Sequence, residues 1–144
     1  MTLSQFYTKV KQLDSDKIVT DTMEEAAPLI TDMQKEQMLS GKNREGKKSG
    51  RYRNPSYARM KNAMNPIPGL GVPDLRLTGE FYLGVYTEIR GDKVILDSTD
   101  EKTPALALRF GESIFGLSPV TKVELIKEDL RPLFIRNMRR GLGL

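Results

Sequence analysis

Lysine, arginine, tyrosine, the hydroxyls and the carboxylates carry all the side-chain chemistry open to this chain, because its 144 residues include no Cys and no His. Without Cys there is no thiolate nucleophile, disulfide or thiolate zinc site. Without His the commonest general base and metal ligand is missing. A catalyst would rest on Asp, Glu, Lys, Tyr or Ser/Thr, and no credible hydrolase site emerges from them. The expectation is a protein that is not an enzyme and takes no cofactor. Gly41-Lys42-Asn43-Arg44-Glu45-Gly46-Lys47-Lys48 comes within one residue of a nucleotide-binding loop. That loop needs Ser or Thr after its Gly-Lys pair to hold magnesium, and it follows a strand. Here Lys48 takes that place and a helical pattern precedes.

The same segment suggests contact with polyanions or with a protein neighbour. Lys42, Arg44, Lys47, Lys48, Arg51 and Arg53 offer cations for phosphates, and Tyr52 offers a ring for stacking. A charged run is also what a solvated face looks like. Arg136, Arg139 and Arg140 form a second cationic group near the C-terminus, where they complement a helix dipole. Tyr82 and Tyr86 are candidate interface aromatics, with Phe81 assigned to the core. Arg90-Gly91-Asp92 reads as a hairpin turn rather than an adhesion tripeptide. Asp97, Asp100 and Glu101 cluster without the alternation a calcium loop requires.

The elements that must position these residues follow from periodicity and punctuation. Leu3, Phe6, Tyr7, Val10 and Leu13 recur at helical spacing. Asp14-Ser15-Asp16 supplies an N-cap for a longer helix with apolar positions at Val19, Met23, Ala26, Ile30, Met33 and Met38, lapsing at Gln37. It ends near Gly41, a C-cap, and Pro28 should bend it around Glu24 to Pro28. Residues 41–53 lack an apolar period and read as an extended basic arm or long hairpin, mobile in an isolated subunit. Asn54-Pro55 opens a short helix to Met64. Three prolines and two glycines between Asn65 and Pro73 make residues 65–74 a Pro/Gly-rich loop. Phe81 to Ile89 reads as a strand with Phe81, Leu83 and Val85 on one face, returning as Lys93 to Asp97. Ala105 to Gly111 fits either a strand or a short helix. Ser118-Pro119 starts a C-terminal helical region in which Pro132 makes a kink or a second start, and Gly141 to Leu144 fray. The fold class is α+β: a small antiparallel β-sheet with a long N-terminal helix and a C-terminal helix, in one domain spanning 1–144.

Charge is distributed unevenly. Residues 1–40 carry a net −3, 41–65 carry +7, 66–117 carry −3 and 118–144 carry +3. Such segregation suits head-to-tail contact between identical subunits, or contact with a nucleic acid. No apolar run approaches the roughly 20 residues of a membrane helix, and the first residues lack a signal-peptide pattern. No membrane role is expected, and synthesis is expected in the cytoplasm.

Several short motifs carry a resemblance that covers the chain from about Ile30 onward. They are Gly46 in the basic segment, Tyr57-Ala58-Arg59-Met60-Lys61, Leu75-Arg76-Leu77-Thr78-Gly79-Glu80-Phe81 and Phe110-Gly111. In this order they resemble the phage virion morphogenesis and tail-completion (head–tail connector) proteins. The form with Asn65-Pro66, Pro73-Asp74 and Phe81-Tyr82 is similar to sequences from phages of Bacteroidetes hosts, including crAss-like ones. The chain departs from the common pattern after Phe110-Gly111, where Phe115-Gly116-Leu117-Ser118-Pro119 replaces a Pro-Arg segment. The resemblance implies a structural virion protein forming a homo-oligomeric ring between portal and tail, or completing the tail. Its partners would be portal, connector or tail proteins, with packaged DNA within reach of the arm. The alternative is a small DNA-binding protein that uses the same arm and the C-terminal arginines.

Overall fold

The computed structural model describes residues 1–76 and 79–144. Leu77 and Thr78, at the centre of one resembling motif, lie outside the described residues. The fold is mixed helix and sheet, as expected.

Helix α1 (Leu3–Gln12) opens with a capping box, in which Thr2 and Gln5 satisfy each other's main-chain N–H groups. Asp14 then caps α2 (Ser15–Leu39), accepting from Lys17 N. The helix runs on through Pro28, so the expected bend does not divide it. Gly41, with φ +76°, ends it as predicted. No side chain fits there, because an added Cβ would lie 2.6 Å from Pro68 Cβ. Helix α3 (Pro55–Met64) starts as read, with Asn54 accepting from Ser56 N and Tyr57 N.

The next segment corrects the sequence reading. Phe81 to Gly84 are not strand; they lie in the short helix α4 (Glu80–Gly84). Phe81, Tyr82 and Val85 are therefore buried together, while Leu83 is 83% exposed. The cause is Gly84, whose bare Cα lets the chain pass under the end of the hairpin: an added Cβ would sit 2.7 Å from Ser98 Oγ and 2.9 Å from Asp100 N. Ser98 Oγ donates to Phe81 O at 3.0 Å, and Thr99 N to Gly84 O at 3.0 Å. Strand β1 (Val85–Arg90) begins only there. It pairs antiparallel with β2 (Lys93–Ser98), Arg90 opposite Lys93, around the expected Gly91-Asp92 turn. The ambiguous apolar stretch is helix α5 (Thr103–Phe110), ended by Gly111.

The C-terminal helical region comprises α6 (Pro119–Glu124), a π-helical stretch Leu125–Leu130 and α7 (Arg131–Gly141). Pro132 can neither donate to Glu128 O nor fit its ring against it in α-helical geometry. The wider π turn absorbs that conflict, so the helix neither breaks nor restarts. Gly141 to Leu144 do not fray: Leu142 is buried, and Gly141 packs against Leu13 of the α1–α2 joint.

Helix α2 is the spine between two apolar clusters. One gathers Met38, Leu75, Phe81, Tyr82, Val85 and Ile114. The other gathers Ala26, Ile30, Leu117 and Leu125, with Leu130 and Leu133 against them. Val19, expected on the buried stripe, is 48% exposed. Thr31 and Thr87 hydroxyls meet at 2.7 Å where α2 crosses β1. Among the described residues no helix is long and apolar enough to cross a membrane.

Candidate assembly and nucleic-acid interface

The basic segment 41–53 takes the hairpin form, and its main chain is well anchored. Lys42 and Lys48 form an antiparallel bridge. Inside it Asn43 Oδ1 accepts from Glu45 N at 3.0 Å and from Lys47 N at 3.1 Å, and Gly46 turns with φ +79°. Arg44 N donates to Ser113 O and Tyr52 N to Gly71 O, each at 2.8 Å, while Ser49 N donates to Gly41 O at 2.9 Å. Of the N–H groups that a phosphate-binding loop would present, those of residues 43–47 are thus already occupied. What the loop offers outward is charge. Lys42, Arg44, Lys47, Lys48, Arg51 and Arg53 are all exposed. Lys47 lies 3.9 Å from Glu45 in an open pair that contributes little.

The aromatic candidates divide. Tyr52 is half-buried, its ring edge-on to Tyr57 with centroids 5.0 Å apart. Burial, followed by the nearby Asp74 carboxylate, pushes its hydroxyl up to about 12. Tyr86 is half-buried on β1, opposite Asp97. Tyr82 is corrected from interface to core. Its ring sits in the first apolar cluster and its hydroxyl donates to Asp74 O, because α4 turns it inward where a strand would have turned it out. Burial drives its hydroxyl well above the ordinary tyrosine range.

The two cationic groups are not brought together. Arg136 pairs with Glu25 on the first half of α2, whereas the basic loop leaves the far end of that helix. From Glu25 to Gly41 the helix rise alone separates them by about 24 Å. Arg139 and Arg140 are exposed beside Ile135 and Leu144 along a shallow groove.

Sequence reasoning passed over four polar residues that hold this surface in place. Lys61 and Asp74, each 5% exposed at the side chain, form an ion pair at 2.8 Å. Lys61 also donates to Arg76 O. Asp74 accepts from Asn65 Nδ2 at 3.1 Å and Arg76 N at 3.0 Å. Both residues stand within the resembling motifs, and that was the available signal. Gln34 and Gln37, on α2, bind the main chain of 114–118. Gln34 donates to Ile114 O and accepts from Gly116 N; Gln37 donates to Gly116 O and accepts from Ser118 N, at 2.7 to 3.0 Å. The two amides address residues 114, 116 and 118 as a neighbouring strand would. The polar lapse at Gln37 marked this position in the sequence. Among the described residues no group of three or more carboxylates could hold a metal ion.

Comparison of the chain with protein-family models, with curated proteins and with solved structures finds no match to any of them.

Proposed function

We propose that this protein is a non-enzymatic structural subunit of a tailed bacteriophage virion, made in the host cytoplasm, that forms a homo-oligomeric ring at the head–tail connector or completes the tail. The observation that carries the reading is helix α1. Leu3, Phe6, Tyr7 and Val10 repeat at helical spacing, yet every residue of the helix is exposed and Leu3 keeps 85% of its surface. A capped amphipathic helix with no partner for its apolar side belongs to an interface. Leu108, Val120, Val123 and Ile126 add exposed apolar surface on other helices. The segregated charge and the order of the resembling motifs support the same reading, with portal, connector or tail proteins as the outer neighbours.

Virion fractionation tests it. A tagged copy should co-purify with particles in stoichiometric multiples and localise to the neck or tail by electron microscopy. A protein found free in infected cells and absent from particles would overturn the reading. The six exposed cations of the basic loop favour a second reading, a small DNA-binding protein. DNA affinity should then fall steeply between low and moderate salt, whereas an apolar ring interface should persist.

A further inference from the structure

The ring reading requires a contact, and the fold offers its two halves on different faces of one subunit. One half is α1. Its apolar stripe is exposed, its charged residues are Lys9 and Lys11, and it has no acidic residue. It is tied to the body at its C-terminal end, where Leu13 meets Gly141 and Lys9 Nζ lies 3.5 Å from Leu142 O. The other half is a groove between the first part of α2 and the tip of the β-hairpin. Its apolar lining is Val19, Met23, Ile89 and Val94, and its charged lining is Asp16, Asp92 and Lys93. Val19 and Val94 remain 48% and 44% exposed. Among the described residues neither Asp16 nor Asp92 has an ion-pair partner.

We propose that the apolar stripe of α1 seats in the α2–hairpin groove of a second copy of this chain, with Lys11 facing the Asp16 and Asp92 edges. The inference rests on the homo-oligomer reading above and adds its contact. Sign and apolarity match: an apolar helix face with two lysines and no carboxylate meets an apolar groove whose two carboxylates outnumber its one cation, Lys93. A subunit cannot satisfy both halves itself. Asp16, Val19, Thr20 and Met23 occupy one side of α2, while Ile18 and Thr22, which face Gly141 and Asn137 on the side where α1 is tied, lie about 130° round the helix. A helix given in one direction and a groove offered in another make a heterologous contact, which closes into a ring or runs on as a filament.

Sedimentation velocity on the full chain tests this with two variants, Phe6→Asp/Val10→Asp and Val19→Asp/Val94→Asp. All four positions are exposed on one face at least, and circular dichroism checks that each variant keeps its fold. Each variant alone should self-associate at least about thirtyfold more weakly than the wild type, as for an interface hot spot. Their equimolar mixture should form dimers and nothing larger, since one supplies an intact groove and the other an intact α1. As a milder pair, Lys11→Glu and Asp16→Lys should each weaken assembly, and the two changes in one chain should restore it. If both double variants assemble like the wild type, the contact is wrong and the ring reading stands. A mixture that stays monomeric while the wild type assembles also overturns the head-to-tail contact. A wild type that stays monomeric at every concentration overturns the contact and the homo-oligomer reading together.

Discussion

Two buried charges and one half-buried hydroxyl show how single residues are used in this protein. Lys61 and Asp74 lie out of water, and their remaining hydrogen-bonding capacity is met by Arg76 O, Arg76 N and Asn65. Such a pair adds little net stability when whole, yet losing one partner strands the other charge. Lys61→Met should therefore cost about 3–5 kcal/mol, read by urea denaturation. Adding Asp74→Leu should not recover all of it, because Arg76 N then loses its acceptor and Asn65 Nδ2 keeps only Leu39 O. Tyr52 gives a pH signature. Its ordinary value is 10.0 and its folded value about 12, so the folded chain holds the proton more tightly than the unfolded one. The resulting stabilisation is complete below pH 10 and is lost as pH rises through about 12. Tyr82, shifted in the same direction by burial, deepens the loss at higher pH. Tyr52→Phe should flatten the fall in melting temperature between pH 10 and 12; an unchanged slope would show that Tyr52 does not govern it.

Among the elements, α2 organises the rest through its two glutamines. The 114–118 segment joins the first apolar cluster to the second, and it has no strand partner to satisfy its main chain. Gln34 and Gln37 take that role with paired donor and acceptor bonds. Leu has nearly the right size at either position but strands one N–H and one C=O. At about 1–3 kcal/mol for each unsatisfied buried group, Gln34→Leu should destabilise more than a surface change by several-fold. Gln37→Leu should do the same and also loosen Ser118, the N-cap of α6. Hydrogen exchange should then rise first at Gly116 and Ser118 and in α6. Equal protection in both variants and the wild type would show that apolar packing alone docks this segment.

At the scale of the whole molecule, charge and exposed apolar surface are what a partner would meet. The basic loop has a main chain held by Ser113, Gly71 and Gly41 and a rim of solvated cations. Replacing Lys47, Lys48, Arg51 and Arg53 together by Gln should change stability by no more than about 0.5 kcal/mol per substitution, since all four are exposed and none is buried in a pair. Under the structural reading the same change should impair particle assembly while the monomer stays folded; normal particles would count against a role for this loop in assembly. Under the DNA reading it should lower both retention on DNA and the salt dependence of binding. The C-terminal arginines add to such a site only on a duplex long enough to reach them: about 24 Å of helix axis corresponds to about seven base pairs.

Local chemistry was legible in the sequence wherever neighbours in the chain decide the outcome. The caps at Asp14 and Asn54, the stop at Gly41 and the Gly91-Asp92 turn all depend on φ restriction or on a side chain reaching its own backbone, so a few adjacent letters suffice. The amphipathic spacing of α1 was legible for the same reason, as was the exposed charge of 41–53. Only the tertiary structure decided which polar residues go inside and which apolar ones stay out. Phe81 to Ile89 has the composition of a strand, but close passage beneath Ser98 and Asp100 needs a bare Gly84 in a helical turn, and that turn buries Tyr82. Lys61 finds Asp74 thirteen residues away and Gln34 finds Gly116 across the fold. Burial is a property of where distant segments meet, and a hydrogen bond's worth is set by whether water can replace it; neither is written in the spacing of the chain.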